Sequence, residues 1–457
     1  MQQSNQKAVL SFHQGTLVLS GFTGEAPLQC LLWDDRSRQW RAKAIYYSEV
    51  LSWLREQNVI VENRVSEVCD LAFNLRMTVS LRPYQKEALA AWQAASGRGT
   101  VSLPTGAGKS WVALKAMAQV GRSTLIVLPT IDLMNQWYDL ILDAFQIEVG
   151  ILGGGYHEIR DVTVTTYESA YRHMDRYGNR FGLLIFDEVH HLPAATYSHI
   201  PEMSIASHRL GLTATYQRLD GLHGKLERLI GDIVYEKSIK ELEGEHLAEY
   251  EIVRIAVDLT PKEKRAYQEH QKRYETFIRE KGVKFYGADR EDFLKQSAYD
   301  PEARRAFLAW FESRKIVMGA QEKLKILESL LKRHASDRLL IFTESNDLVY
   351  EISETFLVPA LTHHTKTHER KWILDSFRKG KISVVVTSKV LNEGVDVPNA
   401  NVAIILSGSA SPVEHVQRLG RILRKGKDKQ AVLYELVTRG TKEGQISYRR
   451  RQADAYQ

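Results

Sequence analysis

The segment Leu103-Pro104-Thr105-Gly106-Ala107-Gly108-Lys109-Ser110 follows a short apolar run, 99–103, and leads into a helical pattern that begins at Trp111. A strand, a glycine-rich loop and a helix in that order constrain the chain more than any other feature, because the unit needs a parallel sheet around it. The glycines let backbone N–H groups wrap phosphates, and the helix N-terminus adds the positive end of a dipole. Lys109 is spaced to reach the β- and γ-phosphates of a nucleotide, and Ser110 to bind Mg²⁺. The usual pattern opens with glycine, where Leu103 stands here. Taken alone, the loop competes with a chance glycine-rich turn.

The surrounding pattern favours the nucleotide reading. Apolar runs at 124–128, 162–166, 183–186 and 210–213 alternate with amphipathic helical stretches, as strands buried on both faces of a parallel sheet do. A second series, 339–342, 383–387, 402–406 and 431–436, repeats the style, with helix-like segments such as 369–377 between. Two α/β lobes are expected. The run 183–186 delivers Asp187-Glu188-Val189-His190 to the carboxyl end of a strand, where such sheets bind ligands. Asp187 suits a Mg²⁺ site, and Glu188 suits orientation or deprotonation of an attacking water; both motifs in this order assign ATP hydrolysis. In the second series, Gln417-Arg418-Leu419-Gly420-Arg421-Ile422-Leu423-Arg424 puts Arg421 and Arg424 on one face of a helix. Arginines aimed at a γ-phosphate act as fingers; the competing reading is a solvated basic helix.

The ordered set Arg82-Pro83-Tyr84-Gln85, the Lys109 loop, Asp187 to His190, Thr213-Ala214-Thr215, Asn392-Glu393-Gly394-Val395-Asp396-Val397-Pro398 and Gln417 to Arg424 resembles a superfamily two helicase. The resemblance implies an α/β chain of two tandem RecA-like parallel-sheet lobes, with ATP and Mg²⁺ between them, and it accommodates Leu103. It implies that Arg82 and Gln85 contact the adenine side, that Gly394 and Asp396 couple ATP to DNA, and that Thr213, Ala214 and Thr215, with His190, relay hydrolysis to domain movement. Thr165, Thr166 and Tyr167, at a strand end, resemble the motif that touches the DNA backbone.

The closer resemblance is to the XPB family of DNA repair helicases in its compact archaeal and bacterial form. It rests on Asp187-Glu188-Val189-His190-His191-Leu192-Pro193, on Thr-Ala-Thr running into Arg218-Leu219-Asp220-Gly221, on an insert between the lobes and on a small N-terminal domain. It implies an N-terminal α+β damage-recognition-like domain at 1–78, an ATP-binding lobe at 79–240, a helical thumb-like insert at 259–317 and a C-terminal lobe at 318–457. A nucleotide excision repair role on duplex and forked DNA, a repair nuclease as partner and a monomeric motor follow from it. The family's Arg-Glu-Asp, implicated in strand opening, has Leu219 at its centre here, beside Arg218 and Asp220. That loss of a charge keeps open a duplex translocase that opens no strands itself. A third reading, a binding scaffold switched by ATP, has no need of Glu188, Arg421 and Arg424 together.

Within 1–78, runs 16–19 and 28–33 read as strands, 34–37 as a turn, and Ser48 as the cap of a helix reaching Gln57. The insert interleaves Lys264, Arg265, Lys272, Arg273, Arg279 and Lys281 with Tyr267, Tyr274 and Phe277 on one helical face, as either a base-stacking surface or a packed hairpin does. Trp33, Trp40, Trp53 and Trp92 are likewise wedges or core. Arg290-Glu291-Asp292 repeats the family triplet at an unmatched position and is given no role. Two cysteines, Cys30 and Cys69, make no disulfide framework or zinc pattern, and His191, His363, His364 and His368 lack ligand spacing. The chain shows no signal peptide and no long apolar span, so a cytoplasmic, nucleoid-associated protein away from the membrane is expected.

The net charge is +6, and from Asn401 onward eleven Lys/Arg, Arg449, Arg450 and Arg451 among them, face five Asp/Glu. A polyanion partner fits that surplus. We expect nucleic-acid affinity to fall steeply as salt rises; a flat plot of log K against log [salt] would remove the phosphate contacts assigned to this segment and the insert.

Overall fold

The structure is a computed structural model that describes residues 7–22, 28–76, 80–214, 216, 221–242, 250–281, 288–388, 400–408 and 431–450. The chain divides into two compact units, 1–241 and 242–457. Among the described residues no helix is long and apolar enough to cross a membrane.

The first unit holds two sheets. Five strands, β1 (Lys7–His13), β2 (Thr16–Ser20), β3 (Leu32–Asp34), β4 (Gln39–Lys43) and β5 (Ile60–Arg64), lie in the order β3-β4-β2-β1-β5, with β5 parallel to β1 and the other pairs antiparallel. Leu10, Leu17, Leu19, Val50 and Leu54 form its core under the helix Tyr47–Glu56. Two local expectations are corrected here. Leu28 to Leu31 form a turn, closed by the Leu31 N–H donating to the Leu28 carbonyl at 2.9 Å, so the strand is only β3. Ser48 lies inside the helix and caps nothing, because a 3₁₀ turn at Ala44–Tyr46 already sets the helical geometry ahead of it. Asp34 does close the expected turn, accepting from the Arg36 N–H at 3.1 Å and the Ser37 hydroxyl at 3.0 Å.

The second sheet of this unit has β6 (Arg98–Ser102), β7 (Thr124–Leu128), β8 (Gly150–Gly153), β9 (Tyr156–Glu158), β10 (Val162–Thr166), β11 (Leu183–Asp187), β12 (His208–Thr213) and β13 (Ile233–Glu236), in the order β13-β6-β12-β11-β7-β10-β8-β9. Every pair is parallel except the β8–β9 hairpin. All residues of β7, β10 and β11 are buried, and β7 and β11 accordingly read as near-continuous apolar runs, while β10 fills its buried positions with valines and threonines. The small sheet is fastened to the large one by polar ties. Lys43 Nζ lies 2.8 Å from Glu202 Oε2, whose other oxygen accepts from Arg228 at 2.8 Å, and the Asn179 side chain donates to the Val65 carbonyl at 2.9 Å. Trp92 is core, donating to the Arg209 carbonyl, while Trp33 is 47% exposed and packs edge-on against Trp40.

Among the described residues the second unit has one parallel sheet, β14 (Tyr250–Val257), β15 (Leu339–Phe342), β16 (Ala360–Leu361), β17 (Val384–Thr387), β18 (Val402–Ile405) and β19 (Ala431–Thr438), ordered β14-β19-β18-β15-β17-β16. Sequence reading missed β14. Its residues alternate in exposure at the sheet edge, so the run carries Glu251 and Arg254 among its apolar residues. The chain thus enters this sheet before making the helices Pro261–Lys281, Ala288–Tyr299 and Pro301–Met318. Tyr267, Tyr274 and Phe277 are buried, and Phe277 packs with Phe293, Ala303 and Ala306. The aromatics are therefore core, which excludes them as a base-stacking surface, while Lys264, Arg265, Lys272, Arg273, Arg279 and Lys281 remain exposed.

One buried ion pair ties this unit's end to its sheet. Lys323 Nζ, wholly buried, lies 2.8 Å from both oxygens of Glu443 and donates to the Leu406 carbonyl at 2.7 Å; Glu443 also accepts from the Thr438 N–H. Removing one partner leaves a charge in a site without water. Glu443→Gln is expected to lower the stability of the second unit by about 3 kcal/mol in urea titration, and Lys323→Met with Glu443→Leu to lower it far less.

Candidate nucleotide site

Strand β6 runs straight into the glycine-rich loop. The Leu103 N–H donates to the Thr213 carbonyl at 2.9 Å, and its side chain is fully buried. An apolar residue fits this first position because it extends the strand into the core, and no positive φ is needed there. Gly108, at φ +76°, turns the chain into the helix Lys109–Val120, which starts two residues before the expected Trp111. Tyr84 Oη donates to the Ala107 carbonyl at 2.8 Å, and Gln85 Nε2 to the Ala107 and Gly108 carbonyls at 2.8 and 3.3 Å. Gln85 Oε1 in turn accepts from the Arg82 N–H, and the Arg82 guanidinium reaches Tyr84 Oη at 3.2 Å. Arg82, Tyr84 and Gln85 thus brace the outer wall of the loop. Lys109 Nζ donates to the Leu103 carbonyl at 3.0 Å, closing the loop on itself. Pro104 is buried, Gly106 and Ser110 are half-buried, and Thr105 Oγ1 is buried with no hydrogen-bond partner among the described residues.

Strand β11 ends in the acid pair. Asp187 is 6% exposed: its Oδ1 accepts from the Glu188 N–H at 3.0 Å, and its Oδ2 from Trp137 Nε1 at 3.0 Å. Glu188 takes the left-handed backbone conformation, φ +49°, an uncommon one for a residue with a Cβ. Tyr167 Oη holds that turn by donating to the Asp187 and Glu188 carbonyls at 3.1 and 3.4 Å. The two acids are pushed apart electrostatically. Burial raises the Asp187 carboxyl well above its usual range, with the Glu188 charge adding to it and Lys109 and Trp137 opposing. Burial also acts on Glu188, but the His190 ring 3.4 Å away and the Lys109 charge outweigh it, and Glu188 stays ionised. His190 Nδ1 lies 3.2 Å from Thr213 Oγ1, so the acid pair and the end of β12 share one contact; Ala214 follows, half-buried.

The three residues expected to touch DNA are spent elsewhere. Thr165 donates to the Leu152 carbonyl, Thr166 caps the helix Tyr167–Tyr177 by accepting from the Ser169 N–H, and Tyr167 supports the acid pair. All three residues are buried. Thr215, Arg218, Leu219, Asp220, Gly394, Asp396, Gln417, Arg421, Arg424 and Arg451 lie outside the described residues, as do the side chains of Arg290, Glu291, Asp292, Arg449 and Arg450. Sequence reading gave no role to Tyr84 or Trp137. Tyr84 sits inside a motif that was read for its neighbours. Trp137 is one buried residue of an amphipathic helix, Ile131–Phe145, and nothing in its spacing announces a carboxylate fifty residues away.

The donors present suit Mg²⁺ with nucleotide. A hydroxyl at Ser110 and a buried carboxylate at Asp187 are hard oxygen ligands, and the raised Asp187 carboxyl marks a place where a cation lowers the energy. A Cβ on Gly108 would stand 2.6 Å from Gln85 Nε2 in a backbone region that side chains rarely adopt. Gly108→Ala is expected to weaken binding of a fluorescent ATP analogue at least tenfold, measured by anisotropy, while far-UV circular dichroism stays unchanged.

Family models match three stretches of the chain: the xeroderma pigmentosum group B helicase damage recognition domain at 10–65, the type III restriction enzyme res subunit at 78–218, and the helicase conserved C-terminal domain at 322–426. The chain is 43% identical over 426 residues to a DNA 3'-5' translocase XPB2 of Sulfurisphaera tokodaii, covering 92% of this chain and 96% of that one. It is 32% identical to a DNA 3'-5' helicase XPB of Mycobacterium tuberculosis and 26% identical to the XPB/SSL2 subunit of the general transcription and DNA repair factor IIH of Saccharomyces cerevisiae. Those alignments cover 81% and 83% of this chain but only 63% and 44% of the longer relatives. Among solved structures, S. cerevisiae Dbp5 bound to RNA and ADP BeF3 shares the fold, with a TM-score of 0.57 at 14% identity, covering 82% of this chain and 88% of that chain. The two parallel-sheet lobes, the phosphate loop facing a buried acid pair and the near full-length likeness to a translocase place this chain in the XPB family of superfamily two helicases.

Proposed function

We propose that this chain hydrolyses ATP, with Mg²⁺, to drive itself along DNA and open it, in nucleotide excision repair. The observation that carries the reading is the buried Asp187–Glu188 pair at the end of β11, held apart in charge state and sharing Lys109 with the glycine-rich loop. Phosphoryl transfer needs charge neutralisation and a positioned nucleophile, and this constellation supplies both.

In the cycle, Lys109 leaves the Leu103 carbonyl to neutralise the β- and γ-phosphates. Ser110 and Asp187 would hold Mg²⁺, which would supply further neutralisation of phosphate charge. Glu188, kept ionised, orients the attacking water and accepts its proton. Protonation of Glu188 weakens its contact with His190, and His190 passes the change to Thr213 at the end of β12. Arg421 and Arg424 add positive charge at the γ-phosphate, with Gln417 beside them in the same motif, and Gly394 and Asp396 couple it to DNA, as the family resemblance implies. Arg218 and Asp220 act on the DNA. The segments 1–78, 79–240, 259–317 and 318–457 serve as damage-recognition domain, first lobe, thumb and second lobe. The direction is 3'-5', as the relatives' names state. The motor works as a monomer in the cytoplasm at the nucleoid, with a repair nuclease as partner. Leu219, in place of an acid, supports a second reading, a duplex translocase that opens no strands itself.

Steady-state ATPase with no nucleic acid, duplex, fork, single strand and RNA, beside strand separation on the same fork, tests these readings. DNA is expected to stimulate turnover. Glu188→Gln should lose more than a hundredfold in kcat with nucleotide binding retained, and Lys109→Ala should lose both. Stimulation without fork opening selects the translocase, and turnover unchanged in Glu188→Gln removes Glu188 from its role.

A further inference from the structure

Trp92 and Trp137 are the two most deeply buried tryptophans of the first unit, 1% and 2% exposed. A buried indole N–H needs an acceptor, and Trp92 finds an ordinary one, the backbone carbonyl of Arg209 at 3.0 Å. Trp137 donates instead to a carboxylate oxygen, Asp187 Oδ2, at the same distance. Desolvating a carboxylate to satisfy a tryptophan is a costly solution if packing is all that is required.

The geometry around Asp187 gives that choice a purpose. Its two oxygens are held by different donors: Oδ1 by the Glu188 N–H, which the left-handed turn aims back at its neighbour, and Oδ2 by the indole. Two donors on two oxygens fix the plane of the carboxylate, while lone pairs on both remain for other contacts. An indole N–H has no acceptor capacity, so it can neither ligate a metal ion nor accept a proton. Trp137 is anchored by the helix Ile131–Phe145, which packs Met134, Ile141, Ala144 and Phe145 inward along with it. This is the arrangement in which an outer partner orients a metal ligand without touching the metal.

We propose that Trp137 is a positioning residue for Mg²⁺ binding: its N–H holds Asp187 in the orientation that receives the ion. The proposal rests on the reading above that Asp187 faces Mg²⁺. Trp137→Phe keeps a large apolar ring and deletes the donor. Replacement of Trp137 by benzothienylalanine, which puts sulfur where the N–H stands, keeps the full ring shape and guards against a misfolded phenylalanine variant. The loss expected for an outer partner of a metal ligand is about tenfold in metal affinity.

The full chain with a non-hydrolysable ATP analogue is titrated with Mn²⁺, and free Mn²⁺ is read by electron paramagnetic resonance. Half-saturating Mg²⁺ is then measured in steady-state ATPase. Both variants should weaken Mn²⁺ binding and raise half-saturating Mg²⁺ about tenfold, with affinity for metal-free ADP unchanged and kcat at saturating Mg²⁺ within threefold of wild type. A folded variant whose Mn²⁺ affinity matches wild type within twofold overturns the role of Trp137 while wild-type turnover leaves the ATPase reading standing. A wild-type chain that neither binds Mn²⁺ with nucleotide nor hydrolyses ATP overturns both.

Discussion

Two carboxylates on consecutive residues, both out of water, repel one another and pay for lost hydration unless the protein supplies what water did. The end of β11 meets this demand from four directions. Trp137, on the helix after β7, donates to the Asp187 carboxylate; His190, in the following turn, lies 3.4 Å from that of Glu188; Lys109, after β6, acts through its charge; and Tyr167, on the helix after β10, holds the two backbone carbonyls. Those elements surround β11 because the sheet order puts β7 on one side of it and β12, then β6, on the other. The site is therefore a consequence of strand order. Parallel strands bring all their carboxyl ends to one edge, and residues a hundred positions apart meet there.

The same economy governs other buried charges in the molecule, with different partners for different ends. Arg209 is 1% exposed and is held by three carbonyls, of Ala206, Leu229 and Ser204, with burial and then the Arg98 charge pulling its pKa down to about 9. Glu202 takes Lys43 and Arg228 and joins the small sheet to the large one. Lys323 and Glu443 join the last helix to the sheet of the second unit. In the two ion-paired ties the charge meets an opposite charge, which suits a structural role. The acid pair differs, since Asp187 remains raised by burial after its donors are counted, and a site left under-neutralised is a site that favours a cation.

Much of this was legible before any coordinates. The strands of both lobes could be read because full burial selects apolar and β-branched residues throughout, and β7, β10 and β15 were bounded to the residue. The glycine-rich loop and the acid pair were legible because phosphate chemistry dictates residue types at fixed spacing. What escaped has physical reasons too. The edge strand β14 mixes charged and apolar residues, since its outer side faces water. The run that became β3 looked longer because Leu31 is buried for packing and not for pairing. Thr165, Thr166 and Tyr167 were read for their resemblance to a DNA-backbone motif, and their packing roles, with Thr166 capping a helix and Tyr167 holding the acid turn, follow from contacts that spacing does not state.

By itself the amino-acid order determined the chemistry available to the chain: a lysine in a phosphate loop, two acids at a strand end, a threonine at the end of the next strand. These are local facts, set by spacing along one or two elements, and spacing is what a sequence states directly. Only the tertiary structure decided how those groups are held. That Tyr84 and Gln85 brace the loop, that Leu103 is a buried anchor, that Tyr167 props a left-handed turn and that Trp137 grips Asp187 all depend on contacts between residues 20 or more positions apart. Such contacts follow from strand order and helix packing, whose energies are summed over the whole core. No single segment of the chain carries them.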